Sequence, residues 1–273
     1  MLTAQQTRPL TTAIYFRAMW LLCLLIVSFK VFPQQQSLRF ALVAGNDAYA
    51  VSPLNNAVND ARDIAAALEG VGFEVMQIEN ADKASLHKAV IDFYALISEH
   101  ADKQVLAAFY YAGHAVQINH RNYLVPLGFD ESEDKFLDSL FDINVLLEQI
   151  PEQNSLSNII VLDACRDNPL GDQLQTSGDG LAPLRAPSST LIAYSTEPGN
   201  VAEDGEGDNG IYTHYLLKYI KKRIPTDELF RRVRKAVAKA TGNRQIPWEH
   251  SSLLDEVYFH APRNKDMPDL LSF

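Results

Sequence analysis

The chain has 273 residues, 47% apolar and 21% charged, with a formal net charge of -10. That is the balance of an ordinary globular protein, with room for one large α/β domain or two small ones. The negative charge argues against a nucleic-acid partner, whose phosphates would be repelled. Basic residues do gather between Lys218 and Lys239, but at helical spacing, and they read as a solvated helix face.

At the N-terminus, Arg8 and Arg17 precede an apolar run from Ala18 to Phe29, followed by Lys30 and a polar, Pro-containing stretch. A run of that length suits a signal peptide and is short for a membrane span. Residues 1–37 are therefore expected to direct export to a periplasmic or secreted location. The alternative is an uncleaved anchor that attaches the chain to a membrane, since no small-x-small cleavage site follows. Cys23 lies inside this run, so its removal would leave Cys165 as the single thiol and no internal disulfide.

From Arg39 onward short apolar runs alternate with helical periods. FALVA at 40–44 reads as a buried strand, and Asp60 to Glu69 as a helix closed by Gly70. FEVMQI at 73–78 predicts a second strand, Ser85 to Glu99 a second helix, and VLAAFYYA at 105–112 a long apolar strand. Asn119 to Asn122 should turn a hairpin between AVQI and YLVP. Asp142 to Ile150 reads as helix and NIIVLDA at 158–164 as another central strand. The stretch Pro169 to Pro187 predicts a long loop, of the kind that is functional or cleaved.

TLIAYST at 190–196 is the next strand, followed by an acidic loop from Glu197 to Asn209. Two helices are expected at Tyr212 to Lys222 and Thr226 to Ala240, the second N-capped by Thr226, with EVYF at 256–259 as a final strand. Apolar strands without alternation, separated by helices, predict an α/β sandwich. Its central sheet of about six strands is mostly parallel, with helices on both faces. No repeat or linker interrupts it, so residues 38–261 form one expected domain and 262–273 a C-terminal tail.

Two reactive side chains stand just past the ends of consecutive central strands, His114 after VLAAFYYAG and Cys165 after NIIVLDA. Ligands in open parallel sheets bind beyond the carboxyl ends of the strands. A thiol needs a base or a nearby positive charge to become a nucleophilic thiolate, which an imidazole on the neighbouring strand supplies. Taken singly, a Cys after a strand reads as buried packing and a His after Gly as a turn residue. Their matching positions favour the chemical reading.

The segment FYYAGHAVQINHRNYLVP and, 51 residues after its His, VLDACRDNP together resemble the two signature blocks of the caspase-like cysteine peptidases, in the metacaspase and paracaspase branch. FALVAGNDAY with LNNAVNDARDIAAAL is similar to that family's first strand and helix. LIAYSTEPGNVAEDGEGDNGIYTHYLLKYI resembles the start of its small subunit, and VRKAVAKATGNRQIPWEHSSL its closing elements. The resemblance implies a cysteine-type endopeptidase with Cys165 as nucleophile and His114 as base. It also implies an oxyanion hole made by the backbone N–H groups of Cys165 and Ala115. Ala115 stands where the family usually has Gly.

By the same resemblance, Asp60, Asp163 and Asp204 (or its neighbour Glu203) would line the first specificity pocket. Such a pocket rejects an acidic side chain and pairs with Arg or Lys, so the expected substrates are proteins or peptides cut after basic residues. A second role for Asp60, as a helix N-cap, is compatible with this one. Gly205, Gly207 and Gly210 spell a GxGxxG, but the acids between them would repel a pyrophosphate. Those acids could instead take up calcium, which some metacaspases require; the other reading is a solvated loop, and no cofactor is otherwise expected. The competing function, of a different class, is a catalytically silent caspase-like fold acting as a binding or regulatory module.

Overall fold

The run FALVA forms the middle of β1 (Leu38–Gly45), and its neighbours explain why it is apolar throughout. In the computed structural model, which describes residues 37–153, 155–165, 181–182, 184–197 and 207–262, β1 lies inside a sheet covered on both sides. Its partners are β2 (Glu74–Glu79) and the long β3 (Val105–Ile118), both parallel to it. Beyond β3 come β6 (Leu156–Cys165) and β7 (Thr190–Tyr194), again parallel, and then antiparallel β8 (Trp248–Ser251). The path β2-β1-β3-β6-β7-β8 thus has six strands, in agreement with the sheet expected from the sequence. A short antiparallel flap, β4 (Arg121–Leu124) with β5 (Phe141–Asp142), pairs with the far end of β3.

Alternate residues of β3 serve two separate cores, as the pleat requires. Val105, Ala107, Phe109 and Tyr111 pack with the helix α2 (Lys83–Ser98) and the short α4 (Ile143–Gln149). Leu106, Ala108, Tyr110 and Ala112 pack with α1 (Ala57–Glu69), α5 (Ile211–Ile220) and α6 (Thr226–Ala240). A third, smaller cluster joins Tyr49, Val116, Tyr123 and Val125 to Phe136 of α3 (Glu133–Ser139), closing the space under the flap.

Three expectations need correction, and one helix was not expected at all. Helix α1 begins at Ala57, so Asp60 lies inside its first turn and is not its cap. The cap position of α6 falls on Pro225; Thr226 is the first helical residue, its N–H given to the Val257 carbonyl at 2.8 Å. The last strand is WEHS at 248–251, too short and polar to announce itself. EVYF at 256–259 is instead irregular, anchored by Phe259, which is buried against Phe73 and Phe230 and whose carbonyl accepts from Arg39 at 2.8 Å. Finally, α3 had no apolar period to reveal it.

Gly45 lets α1 approach the end of β1. A Cβ there would meet the Ala57 carbonyl oxygen at 2.6 Å and the Ala61 methyl at 2.7 Å. Gly45→Ala should therefore cost about 1–3 kcal/mol of stability, as overpacking of a tight contact does. Thermal unfolding checks this: a midpoint lower by roughly 2–4 °C per kcal/mol is expected, and an unchanged midpoint would contradict the close approach.

All but the last residue of the expected N-terminal segment 1–37 lies outside the described residues, as do most of the 169–187 loop and most of the acidic 197–209 loop. So does all but the first residue of the 262–273 tail. No helix among the described residues is long and apolar enough to cross a membrane.

Candidate functional site

The chain runs from β1 outward to β2 and then crosses to β3 on the other side of β1. That reversal opens a crevice at the carboxyl ends of β1 and β3, the position where open α/β sheets bind ligands. The loop 46–56 leaves β1 at this edge of the sheet. Asn46, 1% exposed, ties the loop to the end of β2 by exchanging two hydrogen bonds with the backbone of Ala81, at 2.9 and 3.1 Å. Asn80, at φ 50°, accepts from the N–H groups of Asp47 and Ala48 at 3.0 and 3.1 Å. The Asp47 carbonyl then accepts from Tyr49 and Leu54 at 2.8 and 3.1 Å, turning the loop back onto β3.

His114 meets this loop. Its Nε2 lies 2.7 Å from the Ser52 carbonyl oxygen. A carbonyl can only accept, so Nε2 carries the hydrogen, and a neutral ring then keeps its lone pair on Nδ1. The imidazole is 1% exposed and packs against the Tyr49 ring, centroids 4.6 Å apart. The backbone N–H of His114 donates to the Tyr49 hydroxyl at 3.1 Å, and that hydroxyl donates to the Val125 carbonyl at 2.9 Å. The Tyr111 hydroxyl sits beside the same carbonyls, 3.0 Å from Val125 and 3.2 Å from His114. Burial pushes the Tyr49 phenol up to about 12 and that of Tyr111 well above its usual value, so both keep their protons.

Between these phenols only glycine fits. Gly113 has φ 155°, and a Cβ on it would come within 2.7 and 2.8 Å of the Tyr111 and Tyr49 hydroxyls. Next along β3, Ala115 is fully buried opposite Leu124, and its φ is not positive, so a Gly-only backbone is not demanded there. The Val125 N–H is taken by the His114 carbonyl at 2.9 Å. Antiparallel alternation therefore turns the N–H of Ala115 to the other edge of β3, along which β6 runs.

The register of β3 against β6 pairs Tyr110 with Val161, Ala112 with Asp163, and His114 with Cys165. The two residues singled out in the sequence are thus direct neighbours across two parallel strands, at the last rung of the ladder.

Asp163 lies two residues before Cys165, and its Oδ2 accepts from the Thr213 hydroxyl of α5 at 2.6 Å. Thr213 has one hydrogen to give, so the Tyr110 hydroxyl, 2.6 Å away, donates to Thr213. Asp60, 4% exposed on α1, accepts from the N–H of Gly210 at the start of α5, its two oxygens 3.1 and 3.3 Å away. Its neighbours Asn59 and Asp63 bond to Asp208 and Asn209, so one face of α1 holds the whole segment 208–210. The Tyr110 phenol is pushed well above its usual value, first by burial and then by the charges of Asp163 and Asp60. The two carboxylates therefore share one neighbourhood, below the Cys165 end of β6.

Asp204 and Glu203 lie outside the described residues, as do most of the acids considered for calcium. No three of His, Cys, Asp or Glu gather as a metal site among the described residues. Sequence reasoning missed Tyr49, Ser52, Tyr110 and Thr213. Ser52 acts through its backbone, which carries no residue signature, and the tyrosines read as core.

A family model described as the caspase domain matches residues 38–258. The chain is also similar to the human mucosa-associated lymphoid tissue lymphoma translocation protein 1, with 24% identity over 192 residues. The mouse homolog matches to the same extent. The match takes in 70% of this chain but 22% of each relative, so the chain spans about a fifth of their length.

Proposed function

Since the chain belongs to the caspase-domain family, we propose that it is a cysteine endopeptidase that cuts after Arg or Lys, with Cys165 as nucleophile and His114 as base. The observation that supports this most is the pairing of His114 with Cys165 at the ends of β3 and β6, with the imidazole Nε2 engaged by Ser52. That leaves Nδ1 as the nitrogen able to take the thiol proton. The thiolate then attacks the scissile carbonyl carbon, whose oxygen takes up the negative charge. The imidazolium returns its proton to the departing amine, and a thioester remains. Water, deprotonated by the same imidazole, attacks the thioester and releases the new carboxyl group and the thiolate.

The N–H groups of Ala115 and Cys165 would hold the oxyanion, a contribution of about 3 kcal/mol per donor. Because strand pairing reaches the rung of His114 and Cys165, that rung must loosen for both donors to turn onto a substrate oxygen. Asp60 and Asp163, joined by Asp204 or Glu203, would form the pocket for the basic side chain. The N-terminal segment would deliver the enzyme outside the cell or hold it at a membrane, where proteins with basic residues are its substrates.

The test is a set of fluorogenic peptides ending in Arg, Lys or Asp before the cut, assayed with and without calcium. Turnover of the Arg and Lys peptides over the Asp peptide by roughly 10²-fold or more is expected, since a buried charge pair is worth several kcal/mol. Preference for Asp would refute the assignment. No turnover of any peptide would leave the silent binding module.

A further inference from the structure

Loop 46–56 touches His114 at three points, and two of them belong to one side chain. Ser52 supplies a carbonyl to Nε2. Tyr49 supplies a ring against the face of the imidazole, at a tilt of 51°, and a hydroxyl to the backbone N–H of the same residue. The hydroxyl is fixed from the other side by the carbonyl of Val125, the residue that follows β4. Tyr49 is 4% exposed, and the Tyr111 hydroxyl 3.3 Å away confines it further. Such a brace is not the usual arrangement in a strand: the N–H of a β3 residue ordinarily finds its partner in a neighbouring strand. Here β1 has ended at the rung of Ala112, and the tyrosine takes the place of the missing strand.

We propose that Tyr49 is a positioning residue for His114, holding both its backbone and its ring so that the imidazole keeps one tautomer and one orientation toward the end of β6. A phenylalanine could pack on the imidazole but would leave the His114 N–H and one side of Val125 without the bridging hydroxyl. The backbone at 113–114 would then relax, and the distance from Nε2 to Ser52 would no longer be fixed. The brace is itself supported from outside: Asn80, an exposed residue, secures the two N–H groups just before Tyr49. The consequence for catalysis rests on the peptidase reading above, but the effect on the imidazole does not.

The experiment uses the full chain with Tyr49→Phe and, as a variant that leaves the core intact, Asn80→Gly, which retains the φ 50° turn and loses the carboxamide. Long-range nitrogen–proton NMR reads the His114 ring directly, its signals identified by their loss in His114→Gln. The wild type should show the neutral Nε2–H form, Tyr49→Phe a mixture of tautomers, and Asn80→Gly a smaller shift in the same direction. On an Arg-ending peptide, kcat should fall about tenfold in Tyr49→Phe with KM within about twofold, as a small misplacement of a catalytic group does. If Tyr49→Phe fails to fold, Asn80→Gly alone decides. Unchanged ring signals in the folded variants would overturn the proposal, even if kcat dropped. Altered ring signals in a chain without turnover would sustain the brace and refute the peptidase.

Discussion

With Cys165 as the proposed nucleophile, Cys165→Ala should abolish hydrolysis of an Arg-ending fluorogenic peptide, an expected loss of at least about 10³-fold in kcat. A methyl group has no lone pair with which to attack a carbonyl, and the proposed base and oxyanion donors serve a nucleophile at the end of β6. His114→Gln should give a loss of similar size, since it keeps the volume of the ring site but provides no nitrogen that can shuttle a proton. The two losses should not multiply in the double variant, because residues that act as one unit fail together. Alkylation would separate their roles without any substrate: iodoacetamide should label Cys165 rapidly in the wild type and slowly in His114→Gln. Turnover that survives Cys165→Ala would place the chemistry on another residue and end the proposed mechanism.

Asp163→Asn should cost about 10²-fold in kcat/KM for an Arg peptide while affecting a citrulline peptide little. Citrulline has nearly the shape of arginine without its charge, so the ratio of the two measures charge recognition alone. The amide oxygen of Asn can still accept from Thr213, and the chain of hydroxyls from Tyr110 to Asp163 stays in place. The variant therefore tests the charge and leaves the architecture standing. Asp60→Asn should act in the same direction but also loosen the start of α5, because Asp60 holds the Gly210 N–H with both oxygens. Equal losses on Arg and citrulline peptides from Asp163→Asn would mean a structural role and remove Asp163 from the pocket.

The sheet could be read from the chain because strands buried on both faces must be apolar at every position, and 105–112 and 158–164 are nearly so. The juxtaposition of His114 and Cys165 was legible for the same reason: each follows a central strand, and parallel strands end on the same rim. What escaped notice obeys no periodicity. The Ser52 carbonyl is a backbone atom, and Tyr49 is one aromatic in a polar loop whose shape depends on Asn80 and Ala81, some 30 residues away. Asp60 was read as a cap because Asp favours that position, yet its partner Gly210 lies 150 residues further on. EVYF had the composition of a strand, but at 256–259 burial of Phe259 under the sheet decided its conformation.

The bonds from α1 to residues 208–210 and the five-residue pairing of β6 with β7 carry a last consequence. They join the two halves of the molecule on either side of the long connection between those strands. A chain cut in that connection would remain assembled as a non-covalent pair, with its acids and its rim still aligned. Its unfolding would then be bimolecular, so heat stability would fall on dilution where that of the uncut chain would not.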